Sequence, residues 1–164
     1  MSRVILGGLG ITTGVVVIII VGLLVINGSL NATETCRDFS EGKISVNGKT
    51  FRVALADNEV ERQQGLAGCS AIPQWRGMYF PYTELQEARY WMKGMLIPID
   101  IVWVSQGSVI GIEENVPVID ESITLPPPIY RSPRPVDGVL EVGAGKAREY
   151  GINVGSIITY LPSD

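Results

Sequence analysis

"KISVNGKTFRVALA", residues 43–56, reads as two short β-strands joined by a two-residue turn. Asn47-Gly48 supplies the pair of positive φ angles that such a hairpin requires, and the β-branched and aromatic residues on either side suit a pleated, half-buried surface. The residues that follow repeat this style of short apolar runs punctuated by turn formers. In "DNEVERQQGL" (57–66), Asn58 with Glu61 three residues later fits a capping box and Gly65 fits a C-terminal stop, which predicts a helix of about two turns.

Further along, "RGMYF" (76–80) suits a strand, and "TELQEA" (83–88) is at most a helical turn begun by Thr83 with Gln86. "YWMKGMLIPIDIVWV" (90–104) supplies one or two strands broken near Pro98, and a Gln106-Gly107 turn leads into "SVIGIEENV" (108–116). "PPPIYRSPRP" (126–135) carries five prolines, which fix an extended path and remove backbone donors. Such a segment is a rigid connection across a sheet edge or, alternatively, a recognition peptide. "DGVLEVGAGKAREYGINVGSIITYL" (137–161) predicts a strand through Leu140–Val142, a short helix around Ala147 closed by Gly151, and a last strand at Ser156–Leu161. The fold class is therefore mainly β: a compact sandwich or barrel-like domain with one or two short helices, over residues 43–164.

Upstream the character changes. The hydrophobic content of 46% is inflated by one block, Val4–Ile26, which holds no charge. Its 23 residues make roughly 34 Å of helix, enough to cross a hydrocarbon core of about 30 Å. We read it as a single transmembrane helix. Residues 1–3 form a cytoplasmic end carrying Arg3, and residues 27–42 a polar, slightly acidic linker, so the positive-inside tendency places the β domain outside the cytoplasm. A cleaved signal peptide is the rival, although its apolar region usually spans about 7 to 15 residues. Cys36 follows "TET", which lacks the small apolar residues of a lipoprotein signal. Gly10-Ile-Thr-Thr-Gly14 offers a small-residue face for helix contact within the bilayer, and Asn31-Ala-Thr33 matches a glycosylation acceptor too near the membrane to be used.

This topology puts both cysteines, Cys36 and Cys69, on the extracytoplasmic side, where a disulfide is permitted. Closing that loop of about 34 residues would stabilise the domain by roughly 3 to 4 kcal/mol; two unpaired thiols are the other reading. The chain has no histidine, which removes the commonest metal ligand and the usual general base. No metal or cofactor is expected. Net charge is −4 with scattered basic residues, so there is no footprint for nucleic acid. "GAGKA" (143–147) lacks the first glycine of a phosphate loop and places Ala147 where the magnesium-binding hydroxyl belongs.

Six blocks in order carry a resemblance: "ERQQGL" (61–66), "GMYF" (77–80), "YWMKGM" (90–95), "PIDIVWV" (98–104), "VLEVGAG" (139–145) and "GINVGSII" (151–158). Together they resemble the family catalogued as domain of unknown function 192, here as a membrane-anchored member, over about residues 43–162. The resemblance implies a compact, mainly β domain, often exported or tethered behind one hydrophobic segment, and implies no activity. This chain has Gly94 and Met95 where the family more often has Asn and Thr, and "AGC" after Gly65-Leu66 where it often has Met and Arg.

Two carboxylates stand out because each interrupts an apolar strand. Asp100 alternates onto the same face as Val102 and Val104, and Glu141 lies between Leu140 and Val142. A carboxylate so placed is costly unless a cation or several backbone amides meet it. Arg62 is the leading candidate partner, since its guanidinium can hold a carboxylate through two parallel bonds, and Lys93 beside Trp91 is another. As a brace, these residues join strands to the short helix. As a site, Arg62, Trp91, Lys93, Asp100 and Glu141 line a pocket for a small polar or carbohydrate ligand. As catalysts, Asp100 and Glu141 serve as acid and base of a carbohydrate-active hydrolase or lyase. We expect a single-pass cell-membrane protein whose outer domain is a binding or envelope-associated module. The catalytic reading is the alternative, and an interaction subunit of a membrane complex, acting through "GITTG" or the proline-rich segment, is the third.

Overall fold

A computed structural model describes residues 39–72, 77–123 and 125–161. The apolar block 4–26, the linker as far as residue 38 and Cys36 lie outside them. Among the described residues no helix is long and apolar enough to cross a membrane.

The opening hairpin forms as its sequence dictates. Strands β1 (Glu41–Val46) and β2 (Lys49–Leu55) pair antiparallel without a slip from Glu41↔Ala54 to Val46↔Lys49. Asn47 and Gly48 take φ of 47° and 83° in the turn. Helix α1 (Glu59–Gln64) starts where Asn58 Oδ1 accepts the Glu61 amide at 3.1 Å. It stops at Gly65, whose φ of 50° is open to glycine at little cost and whose amide donates to Glu61 O at 2.8 Å.

Strand β3 (Met78–Gln86) then returns parallel to β2, with Ala54 opposite Met78 and Leu55 opposite Tyr79. It corrects the reading of "TELQEA" as a helical turn, because Thr83–Gln86 continue the strand. Pairing with a distant segment overrides the local cap signal: β3 runs antiparallel to β8 (Val136–Gly143) from Met78↔Glu141 to Pro81↔Gly138, then meets it again at Gln86↔Val136 beyond an irregularity. Strands β5 (Ile99–Ser105) and β6 (Ser108–Val116) form a second hairpin over Gln106-Gly107, and β9 (Ile158–Leu161) pairs with β1. Helix α2 (Lys146–Glu149) is a single turn.

The resulting seven-stranded sheet runs β6-β5-β8-β3-β2-β1-β9, with β2–β3 its parallel pair. A bridge between Ser108 and Ile157 brings its two edge strands together at one end, supported by Val109 N donating to Ser156 O at 2.9 Å. A separate ribbon of β4 (Arg89–Tyr90) and β7 (Tyr130–Arg131) takes in the proline-rich segment as a paired connection.

Both faces of the large sheet are covered, so β5 is apolar from Ile99 to Val104 apart from Asp100. One face buries Met78, Phe80, Ile99, Ile101, Trp103 and Val139. The other buries Ile44, Val53, Val102, Val104, Leu140, Val142 and Ile158. Enclosing each such side chain stabilises the fold by about 1.5 to 3 kcal/mol. Residues directly opposite across a ladder share a face, and the register pairs Asp100 with Val142 but Ile101 with Glu141. The two buried carboxylates therefore project from opposite sides of one sheet.

Candidate functional site

Asp100 is fully enclosed, and every neighbour it needs is main chain. Its Oδ1 accepts the amides of Asn115 at 2.8 Å and Gly145 at 3.0 Å, and its Oδ2 accepts that of Ala147 at 2.9 Å. Three backbone amides thus satisfy the carboxyl oxygens. Gly145 sits at φ of 78°, turning its amide inward at the start of α2. The "GAGKA" loop thus holds the protein's own carboxylate.

Glu141 has the opposite surroundings. It is 5% exposed, its Oε2 has no hydrogen-bond partner among the described residues, and burial pushes its carboxyl up to about 8. Near neutral pH this side chain is a protonated acid. It forms part of the floor of an open groove of about 770 Å³, whose walls come from α1 and its cap (Arg62, Gly65), from β3 (Phe80, Tyr82) and from Tyr90, Trp91 and Lys93. Tyr90 meets Phe80 edge-on at 5.2 Å within the lining and the buried Trp103, which does not border the groove, at 5.7 Å. The hydroxyls of Tyr82 and Tyr90 share a hydrogen bond at 2.9 Å, and burial raises the pKa of both. At the mouth, Trp91 is 55% exposed and the Lys93 ammonium stands 6.0 Å from its ring centroid.

Of the residues singled out in the sequence, Arg62, Trp91, Lys93 and Glu141 thus border one groove, and Asp100 does not. Three expectations change accordingly. Asp100 is no ligand-binding residue of this groove, because it faces the other side of the sheet. For the same reason Asp100 and Glu141 cannot flank one scissile bond as acid and base. Arg62 braces neither carboxylate: its Nη1 donates to Asp57 O at 2.8 Å and its Nε lies 3.6 Å from Glu59 Oε2. Phe80, Tyr82, Tyr90 and Gly65 were missed as site residues. The signal for two of them was a strand alternation continued past Pro81, which puts Phe80 and Tyr82 on Glu141's face. Cys69 is buried and disulfide-bonded; Cys36 lies outside the described residues, as do "GITTG" and the glycosylation acceptor pattern.

The family model of domain of unknown function 192, described as "Uncharacterized ACR", matches residues 42–160. Two solved structures share the architecture. One, from Sinorhizobium meliloti and described as a proposed transcription regulator, has a TM-score of 0.65 and 26% identity over 76% of this chain and 97% of its own. The other, a protein of unknown function from Novosphingobium aromaticivorans, has a TM-score of 0.64 and 25% identity over 80% of this chain and 99% of its own. No curated protein matches the chain.

Proposed function

The chain belongs to the domain of unknown function 192 family, and from that premise we propose that it is a membrane-anchored, extracytoplasmic binding module whose ligand enters the groove above Glu141. One observation carries the binding part: a buried carboxyl, one oxygen of which has no partner among the described residues, belongs to a residue that lines an accessible groove. Unsatisfied buried polar atoms are rare because each costs the desolvation of its group, and a ligand that bonds to Oε2 removes that cost. The exposed Trp91 ring adds an apolar platform, and Arg62 and Lys93 border the same groove. Support for the anchor is the charge-free run Val4–Ile26, and support for an oxidising compartment is the disulfide at Cys69.

The test is a thermal-shift screen of the full chain against sugars, cell-wall fragments, small acids and amines. A ligand of the groove raises Tm in the parent and loses that effect in Trp91→Ala. A screen in which nothing shifts Tm, or in which the shift survives Trp91→Ala and Glu141→Gln, removes the binding reading. Protease added outside intact cells should digest residues 43–164; protection of that region would reverse the topology.

A further inference from the structure

Resting on the groove reading above, we infer that the group taken by the groove is an organic cation, an ammonium or guanidinium, with Glu141 as its counter-charge and Phe80, Tyr82, Tyr90 and Trp91 as aromatic surroundings. What Glu141 lacks is a donor. Among the described residues, the buried Trp103 Nε1 on the same face also has no partner and does not bond to Oε2, and the other candidates are directed elsewhere. Arg62 is turned to Asp57 O and Glu59, Arg89 Nη2 lies 3.5 Å from Glu87, and the Tyr82 and Tyr90 hydroxyls bond to each other. A guest with positively charged N–H or N–CH₃ groups meets both features of the groove, since aromatic rings attract cations through their π faces and a carboxylate supplies the balancing charge.

The backbone beside the acid points the same way. Gly65, at the C-terminal end of α1, passes so near that a Cβ there would lie 3.9 Å from Glu141 Oε2 and 3.6 Å from the Phe80 ring. Helix carbonyls make that end partially negative, which disfavours an anion and favours a cation. The mouth already accommodates one ammonium, that of Lys93 over Trp91. An anion or a sugar would instead leave Glu141 protonated, gaining one hydrogen bond and no charge pairing.

Binding then displaces a proton. The guest keeps its charge, Glu141 loses its proton to the buffer, and the pair is neutral. Other ionisable groups bordering the groove are Glu59 and Arg62 from α1, Tyr82 from β3, Glu87, Arg89 and Tyr90 around β4, and Lys93. Burial holds the two tyrosines above their ordinary range.

Calorimetry on the full chain tests this with tetramethylammonium and methylguanidinium, whose charges do not titrate near neutrality, and with acetate and glucose as contrasts. At least one cation should bind saturably, about twentyfold tighter at pH 8.5 than at pH 6.5, because only the ionised fraction of Glu141 is competent. At pH 6.5 close to one proton should pass to the buffer per guest bound, seen by repeating the titration in buffers of different ionisation enthalpy. Glu141→Gln should abolish binding, and its folded state is checked by circular dichroism. Cation binding that ignores both pH and Glu141→Gln overturns the inference. Binding of acetate or glucose, with neither cation bound and with loss in Trp91→Ala, overturns it while leaving the groove reading intact. If none of the four binds, the inference falls, and the groove reading falls with it only when the wider screen also fails.

Discussion

Asp100 and Glu141 are buried carboxylates on adjacent strands, one register step apart, and they have been treated by the fold in opposite ways. At Asp100 three main-chain amides converge, and nothing is left for a ligand to add. At Glu141 one oxygen has no hydrogen-bond partner among the described residues, and the residue lines a groove. Burial of a charge-bearing group is therefore no guide to function by itself. The guide is whether the chain has brought its own donors.

The largest test removes the satisfied acid. Asp100→Ala orphans one buried and two part-buried amides, which at about 1 to 3 kcal/mol each should cost on the order of 4 kcal/mol, a large share of the roughly 5 to 15 kcal/mol holding a domain together. Urea melts should show the loss, and amide exchange should show α2 opening first. A cost below about 1 kcal/mol would erase the contrast between the two acids.

Next is the unsatisfied acid, where the sign reverses. Folded Glu141 stays protonated up to about pH 8, whereas its ordinary value is 4.5. Between those values the folded state binds the extra proton, so stability falls as pH rises from 4.5 towards 8 and levels off above it. Glu141→Gln has no such dependence. It should exceed the parent by on the order of 3 kcal/mol at pH 7 and by little at pH 4. A parallel pH dependence in parent and variant would show that the carboxyl is already partnered.

The smallest effect belongs to Arg62→Met. Its ion pair with Glu59 lies at the surface, so the loss should stay under about 1 kcal/mol. Combined with Glu141→Gln it should be additive. Strong coupling in that cycle would restore Arg62 as the partner of Glu141 and close the site.

The sequence anticipated these differences unevenly. Asn47-Gly48, Asn58 with Glu61, and Gly65 act through their immediate neighbours, so the turn and the stop appear as read, while of the capping box Asn58 accepts the Glu61 amide and Glu61 Oε2 accepts from Asp57 N instead of Asn58 N. Asp100 was legible as a carboxylate among valines that needs amides or a cation. "GAGKA" was legible as a loop with no external phosphate to bind. That the second answers the first depends on β5 meeting β8 in one register, which no local pattern carries. Tyr82 escaped because Thr83 and Gln86 imitate a helix start, and only pairing with β8 keeps that stretch extended. Glu141's groove likewise needs α1, β3 and β4 to be placed before it exists.

The position of β8 in the sheet has a kinetic consequence. It is the next-to-last strand of the chain, yet it lies between β3 and β5, both formed by residues far upstream. Until residue 143 has emerged, β3 and β5 each expose an open row of backbone donors and acceptors, a template for pairing with another copy. Closure of such long loops must precede the contacts that reward it, which slows folding relative to proteins built from local contacts. A nascent chain arriving N-terminus first cannot settle piece by piece: its sheet waits on the last quarter of the sequence, and a chain cut short before that point keeps its most apolar strand, Ile99–Ser105, without its central neighbour.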